Sequence, residues 1–340
     1  INYVDASTLN ICGYTLKSES KPYARFDQTR YAVPNKHIEG MCKYSTGLYV
    51  MFSTDSKTIM AKWKWVKRGM GNNMTPILQR GLDLYIEKDG KYMFVGVGRP
   101  SGAHDKCEST WKLAKNMPEG VKNCMLYLPC WCEVTDLQLG VEEGAKIEGI
   151  ESPYKYKVLT HGSSITHGAS ASRPGLAYPA IMSRNLGIDF INFGFSGECK
   201  MQPQFLEFLK TCEAEAFVFD AFSNPSEKLI KERLVGFVEG LVEAHPGKPL
   251  IFIQSPIDQD SRFDTKKYGR RMSLTGTAAQ MMKELTKQYK DVYFLAVPDV
   301  LGTDATIDNS HPTDLGFDRF LKAYQPKIAK ILKKYGIKGN

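Results

Sequence analysis

Four short segments carry residues able to do chemistry, and each follows a stretch that reads as a buried strand. The first is His161-Gly162-Ser163-Ser164-Ile165-Thr166-His167-Gly168. A small polar loop of this kind presents the Ser164 hydroxyl with free backbone N–H groups beside it, the combination acyl transfer needs. The same string also reads as a Gly/Ser turn that simply starts a helix. The second is Asn192-Phe193-Gly194-Phe195-Ser196-Gly197-Glu198, whose glycines let a backbone N–H approach a substrate oxygen with no Cβ in the way. The third is Asp220-Ala221-Phe222-Ser223-Asn224-Pro225, where the Asn224 amide can donate to that oxygen. Asn followed by Pro equally suits an N-cap followed by the first helical position. The fourth is Asp308-Asn309-Ser310-His311-Pro312. Two intervening residues on a turn let the carboxylate reach Nδ1–H of the imidazole, fixing its tautomer and leaving Nε2 to take a proton from Ser164. Each segment is commonplace alone; the set, in this order along the chain, outlines nucleophilic acyl transfer by a serine.

For these segments to meet, they must sit at the carboxyl ends of neighbouring parallel strands. From about Tyr154 the chain has that rhythm, apolar strand then amphipathic helix. Strands are expected at Lys157 to Leu159, Phe190 to Phe193, Phe217 to Phe219, Leu250 to Ile253 and Val292 to Val297, each apolar on both faces as a buried parallel strand must be. Helices are expected near Tyr178 to Leu186, Phe205 to Cys212, Pro225 to Ala244, Thr275 to Tyr289 and Leu315 to Tyr335. The expected fold class is α/β, a doubly wound, flavodoxin-like parallel sheet of about five strands. The first ~140 residues instead show period-two alternation without recurring helical periodicity. In Ile59 to Trp65, for example, Ala61, Trp63 and Trp65 fall on one face and Met60, Lys62 and Lys64 on the other. Asp89-Gly90 joins two strand candidates as a hairpin turn. A β-sandwich, jelly-roll-like, is expected there. The Gly/Glu/Pro stretch Gly144 to Pro153 is the natural linker, giving an accessory domain over 1–150 and a catalytic one over 151–340.

Composition limits the partners. Lys and Arg number 45 against 37 Asp and Glu, a net +8, but they are spread along the chain, so nucleic acid is not an expected partner. With 42% hydrophobic and 24% charged residues the chain folds around a sizeable core, and no run of about 18 apolar residues is present to span a membrane. The eight Cys lack the paired spacing of a zinc site, and His161 and His167 have no third ligand at zincin spacing, so no metal and no cofactor are expected. The even Cys count and a start at Ile1 rather than Met tilt the expected location to the periplasm or outside the cell, with the cytoplasm as alternative.

The order of the four blocks resembles the SGNH, or GDSL-like, hydrolase superfamily over about residues 154 to 335. Gly162-Ser163-Ser164-Ile165-Thr166 looks like its Gly-Asp-Ser block, Asn192 to Gly197 like its glycine block, Asn224 like its asparagine block, and Asp308 to His311 like its final D-x-x-H. Further strings, Ala171-Ser172-Arg173-Pro174-Gly175, His311-Pro312-Thr313-Asp314-Leu315-Gly316-Phe317 and Gly81-Leu82-Asp83-Leu84-Tyr85, are similar to a bacterial subgroup with an N-terminal β-sandwich. Three positions depart from the pattern: Ser163 replaces the usual acidic residue, Glu198 follows Gly197 where Asn is usual, and Asn224 lacks the G-x-N-D frame. The resemblance implies a catalytic triad of Ser164, His311 and Asp308, and an oxyanion hole from the N–H groups of Ser164 and Gly197 with the Asn224 amide. It implies an esterase removing acetyl or other short acyl groups from a carbohydrate or small molecule. A carbohydrate-binding protein on a hydrolase-like scaffold is the competing reading, and the oligomeric state stays open. Ser196 is a rival nucleophile, but no G-x-S-x-G elbow occurs in the chain. Arg173 reads as a substrate contact or a solvated turn. Trp63, Trp65 and Trp131 invite sugar stacking, though the alternation of Trp63 and Trp65 favours the core.

Overall fold

The computed structural model describes residues 1–101 and 106–339. They form two compact units, one of residues 1–27, 40–153 and 172–176, the other of residues 28–39, 154–171 and 177–340.

The first unit is built from antiparallel strands: β1 (Asn2–Asp5), β2 (Asn10–Cys12), β3 (Tyr49–Thr54), β4 (Ile59–Trp65), β5 (Leu82–Lys88), β6 (Lys91–Gly98), β7 (Glu108–Ala114), β8 (Lys122–Tyr127), β9 (Val134–Val141) and β10 (Ile147–Gly149). One sheet runs β1-β9-β4-β7, the other β10-β3-β8-β5-β6 with β2 added to β3. Period-two alternation explains how the sheets cover a common core. Ala61, Trp63 and Trp65 of β4 and Leu137 and Leu139 of β9 enter the same buried cluster as Val50 and Phe52 of β3, Leu84 of β5 and Leu126 of β8. Trp63 and Trp65 are therefore core residues, and the Trp63 indole N–H donates to the Arg80 carbonyl at 2.8 Å. Two short helices, α1 (Lys36–Cys42) and α2 (Pro76–Arg80), correct the all-strand reading of this half. At seven and five residues they are too brief to show a period. Among the described residues no two cysteines are joined in a disulfide.

The second unit alternates strands and helices: β11 (Lys157–Gly162), α3 (Ser164–His167), α4 (Tyr178–Leu186), β12 (Asp189–Gly194), α5 (Pro203–Leu209), β13 (Ala216–Asp220), α6 (Glu227–Ala244), β14 (Leu250–Ile253), α7 (Thr265–Gln288), β15 (Val292–Leu295) and α8 (Asp314–Lys334). All five strands are parallel, in the order β12-β11-β13-β14-β15. This is the flavodoxin-like order, and its direction reverses at β11, where a doubly wound sheet opens a crevice beyond the strands' carboxyl ends. Every residue of β12, β13 and β14 is buried, as the continuous apolar runs require. Among the described residues, no helix is long and apolar enough to cross a membrane.

Candidate active site

The turn after β11 carries Ser164 as the first residue of α3. Ser163 caps that helix, its hydroxyl accepting the Ile165 N–H at 3.2 Å. The turn rests directly on the neighbouring strand end: a Cβ at Gly194 would lie 2.2 Å from the His167 nitrogen, so only glycine fits there. Asn192 ties the two together, donating to the Thr166 carbonyl at 2.7 Å while accepting the Gly194 N–H at 2.9 Å.

The last block arrives from beyond β15 as a tight loop. Thr306 pairs with Pro312, and the Ile307 N–H donates to the His311 carbonyl at 3.0 Å. Asn309 takes a positive φ of 73° at the turn, which Asn tolerates better than most residues. Asp308 Oδ1 accepts the backbone N–H of His311 at 2.9 Å and Oδ2 lies 2.7 Å from His311 Nδ1. The carboxylate thus holds the imidazole through both main chain and ring. His311 Nε2 lies 2.9 Å from Ser164 Oγ, so Ser164, His311 and Asp308 form one continuous hydrogen-bonded chain.

Gly197 has φ 73°, in a turn closed by the Glu198 N–H on the Phe195 carbonyl at 3.0 Å. Nothing lies within 4 Å of where its Cβ would be. The Glu198 carboxylate is engaged by Lys200 at 3.2 Å and Asn35 at 3.4 Å and does not line the cleft. Asn224 is not the helix cap that its Pro225 neighbour allowed. Helix α6 begins later, with Ser226 accepting the Leu229 N–H at 3.3 Å. Asn224 Oδ1 instead accepts the Cys199 N–H at 3.1 Å, which leaves its NH2 to donate.

Ser164, His311, Gly197 and Asn224 line one cleft of about 330 Å³. Ser196 lines it too, but the hydroxyl that meets His311 Nε2 is that of Ser164. The remaining wall is polar: Ser163, Ser223, Ser310, Asp258 and Arg271, with Ile165 and Pro256 the apolar members. Burial opposes the charge of Asp258, but the Ser310 hydroxyl, the Arg271 guanidinium and Lys267 outweigh it and hold this carboxyl below its ordinary range. Asp220, beneath the turn of Ser163 to Thr166, is pushed the other way, because burial outweighs the hydroxyl and N–H donors around it. Sequence reasoning gave neither aspartate a role. A carboxylate closing the apolar run Ala216 to Phe219 was the available signal for Asp220, whereas Asp258 meets Ser310 and Arg271 only through folding.

Other candidates fall elsewhere. His161 is buried against Phe193, Phe195, Phe205 and Phe219, with Nδ1 2.9 Å from the Phe193 carbonyl. His167 is also buried. Arg173 belongs to the first unit, where its Nη1 meets both oxygens of Asp83 at 2.9 and 2.8 Å and its guanidinium stacks 3.9 Å from the Phe94 ring centre. Among the described residues, no cluster of His, Cys, Asp and Glu is arranged to hold a metal.

A family model described as the GDSL-like Lipase/Acylhydrolase family matches residues 155–329, and one described as the N-terminus of Esterase_SGNH_hydro-type matches residues 1–147. The chain is similar to a crystal structure named as that of a GDSL-like lipase from Bacteroides ovatus, at 40% identity over 98% of both chains with a TM-score of 0.93. Its fold is also similar to that of a salicylyl-acyltransferase from a tetracycline biosynthetic pathway (19% identity, 97% of both chains, TM-score 0.73). A family two carbohydrate esterase from Cellvibrio japonicus shares the fold at 11% identity over 98% of both chains, with a TM-score of 0.60. Among curated proteins, none matches. The chain belongs to the GDSL-like lipase/acylhydrolase family and is an ester hydrolase of the SGNH type.

Proposed function

We propose that the protein removes short acyl groups, acetyl foremost, from a carbohydrate or another polar alcohol, through an acyl-enzyme on Ser164. The observation that carries this reading is the relay of 2.9 Å from Ser164 Oγ to His311 Nε2 and 2.7 Å from His311 Nδ1 to Asp308. Ser164 Oγ attacks the ester carbonyl and its proton passes to His311 Nε2. Asp308 orients the ring and stabilises the imidazolium. The N–H groups of Ser164 and Gly197 and the Asn224 amide hold the oxyanion, His311 returns the proton to the leaving alkoxide, and water repeats the sequence on the acyl group.

The cleft wall supports the substrate class. Ser196, Asn224, Asp258 and Arg271 offer hydrogen bonds to a hydroxyl-rich alcohol, whereas Ile165 and Pro256 give little apolar surface for a long acyl chain. Esterases of carbohydrate esterase family two sharing this fold agree with that class. The chemistry is assigned to 151–340, with 1–150 as an accessory domain, because every residue invoked lies in the second unit.

A fluorophosphonate probe followed by peptide mass analysis tests the nucleophile. Label on Ser164, absent in Ser164→Ala, is expected. Unlabelled protein that still cleaves p-nitrophenyl acetate sinks the assignment. Rates on p-nitrophenyl esters should fall steeply beyond short chains, and rates that rise with chain length exclude the substrate class.

A further inference from the structure

Asp220 is fully buried, and no ion pair reaches it among the described residues. A buried carboxylate without a cation must be satisfied by hydrogen bonds, and the identity of its donors shows what it holds together. Oδ2 accepts the Ser163 hydroxyl at 2.5 Å, the Ser163 N–H at 3.3 Å and the Thr166 hydroxyl at 3.3 Å. Those residues bracket Ser164. Oδ1 accepts the Ser223 hydroxyl at 3.2 Å, a proton shared with Ser255 Oγ at 2.9 Å, and Ser223 directly precedes Asn224.

We propose that Asp220 is a positioning residue that sets the nucleophile turn against the Asn224 loop, so that the Ser164 N–H and the Asn224 amide converge on one oxyanion. The inference rests on the reading of Ser164 as nucleophile. Because the Ser163 proton is committed to Asp220, the lone pair of that hydroxyl faces the Ile165 N–H at 3.2 Å. This fixes the first turn of α3 and with it the direction of the adjacent Ser164 N–H. A hydroxyl or amide at 220 offers fewer acceptor positions and cannot hold all four donors at once. The position before the nucleophile, which is acidic in the pattern this chain resembles, is Ser163 here, and its partner across the turn supplies a carboxylate from the next strand.

The test measures kcat, KM and the rate of fluorophosphonate labelling on the full chain, with p-nitrophenyl acetate as substrate. Asp220→Asn keeps the shape of the side chain and should lower kcat and the labelling rate by about 10- to 100-fold while KM moves less than about threefold, since small displacements of reacting groups act on the chemical step. The second variant exchanges the two side chains, Ser163→Asp with Asp220→Ser, which returns the carboxylate to the nucleophile turn at equal volume. It should recover at least about tenfold of what Asp220→Ser alone loses, because the hydroxyl–carboxylate pair between positions 163 and 220 is restored with its direction reversed. Asp220→Asn at full kcat, a loss confined to KM, or an exchange variant no faster than Asp220→Ser overturns the proposal. If the serine variants do not fold, Asp220→Asn decides alone. Turnover that survives Ser164→Ala overturns the nucleophile reading and this inference with it, whereas full speed in Asp220→Asn beside an inactive Ser164→Ala overturns only the positioning role.

Discussion

Asp83 of the first unit and Asp220 of the second are the most deeply buried aspartates among the described residues, and the two are satisfied in opposite ways. In the first unit, Asp83 meets the Arg173 guanidinium at 2.8 Å and the Gly175 N–H at 2.8 Å, while the Tyr85 hydroxyl and the Phe94 face complete the setting of the arginine. Its charge is cancelled, and the segment it grips carries no candidate catalytic group. In the second unit, Asp220 has only hydroxyl and N–H donors, all from loops that carry the proposed chemistry. Burial of a carboxylate therefore does not distinguish a structural clamp from a part of an active site. The partners do: a cation neutralises, whereas a ring of neutral donors leaves a charge that orients them.

Damage in the two regions should register in different measurements, and the largest effect is expected at the relay. His311→Ala should reduce kcat by about 10⁶-fold, and Asp308→Asn by about 10⁴-fold, because the ring survives but in the wrong tautomer. Both should leave the unfolding midpoint close to the parent's, since the His311 and Asp308 side chains are 26% and 33% exposed and little packing is lost. An Asp308→Asn enzyme at parental speed would show that the 2.7 Å contact with Nδ1 orients nothing of consequence. In the first unit the expectation inverts. Asp83→Ala leaves the Arg173 charge without its buried partner and should cost about 3–5 kcal/mol in urea unfolding, as removal of one member of a buried pair usually does. Adding Arg173→Ala should recover part of that loss. Equal losses for the single and double variants would mean that Asp83 acts mainly through Gly175, which would undo the contrast with Asp220.

The contrast was only half legible in the sequence. Where one physical signal dominates, boundaries come out cleanly: Ile59–Trp65 alternates buried and open positions along its length, and Leu250–Ile253 is a closed apolar run. Elements with little to bury were invisible. Strand β7, Glu108–Ala114, is polar and mostly exposed until its last two residues, and it lies on a sheet edge. Helix α7 starts at Thr265, ten residues before its expected start, because Thr265–Leu274 is mostly exposed, carries four cationic residues and has no apolar stripe. The five residues proposed for the site stood out in the sequence because each comes after a strand, where chemistry concentrates in this architecture. The second layer was not. Asp220, Asp258 and Arg271 look like ordinary charged residues until the fold shows what they face.

The smallest expected effect is also the one that separates cost from use at Asp220. Burial raises this carboxyl above the ordinary Asp value of about 3.9 that it regains on unfolding. The unfolded chain then gives up this proton at lower pH than the folded one. Stability from this group is fully present below the unfolded pKa and is lost as pH rises through the folded one. Asparagine does not titrate. The difference in urea midpoint, Asp220→Asn minus parent, should therefore climb from about pH 4 upward and level off once the folded carboxyl is ionised. The neighbours that share this charge, Tyr178, Cys199 and Tyr324, are all pushed upward by burial and stay neutral across that window, so the trend belongs to Asp220. A difference that is flat or falls with pH would mean that the donors from Ser163, Thr166 and Ser223 fully compensate the burial. A rising difference in an enzyme that has also slowed would mean that the same charge strains the fold and serves the reaction, a combination the neutralised Asp83 cannot produce.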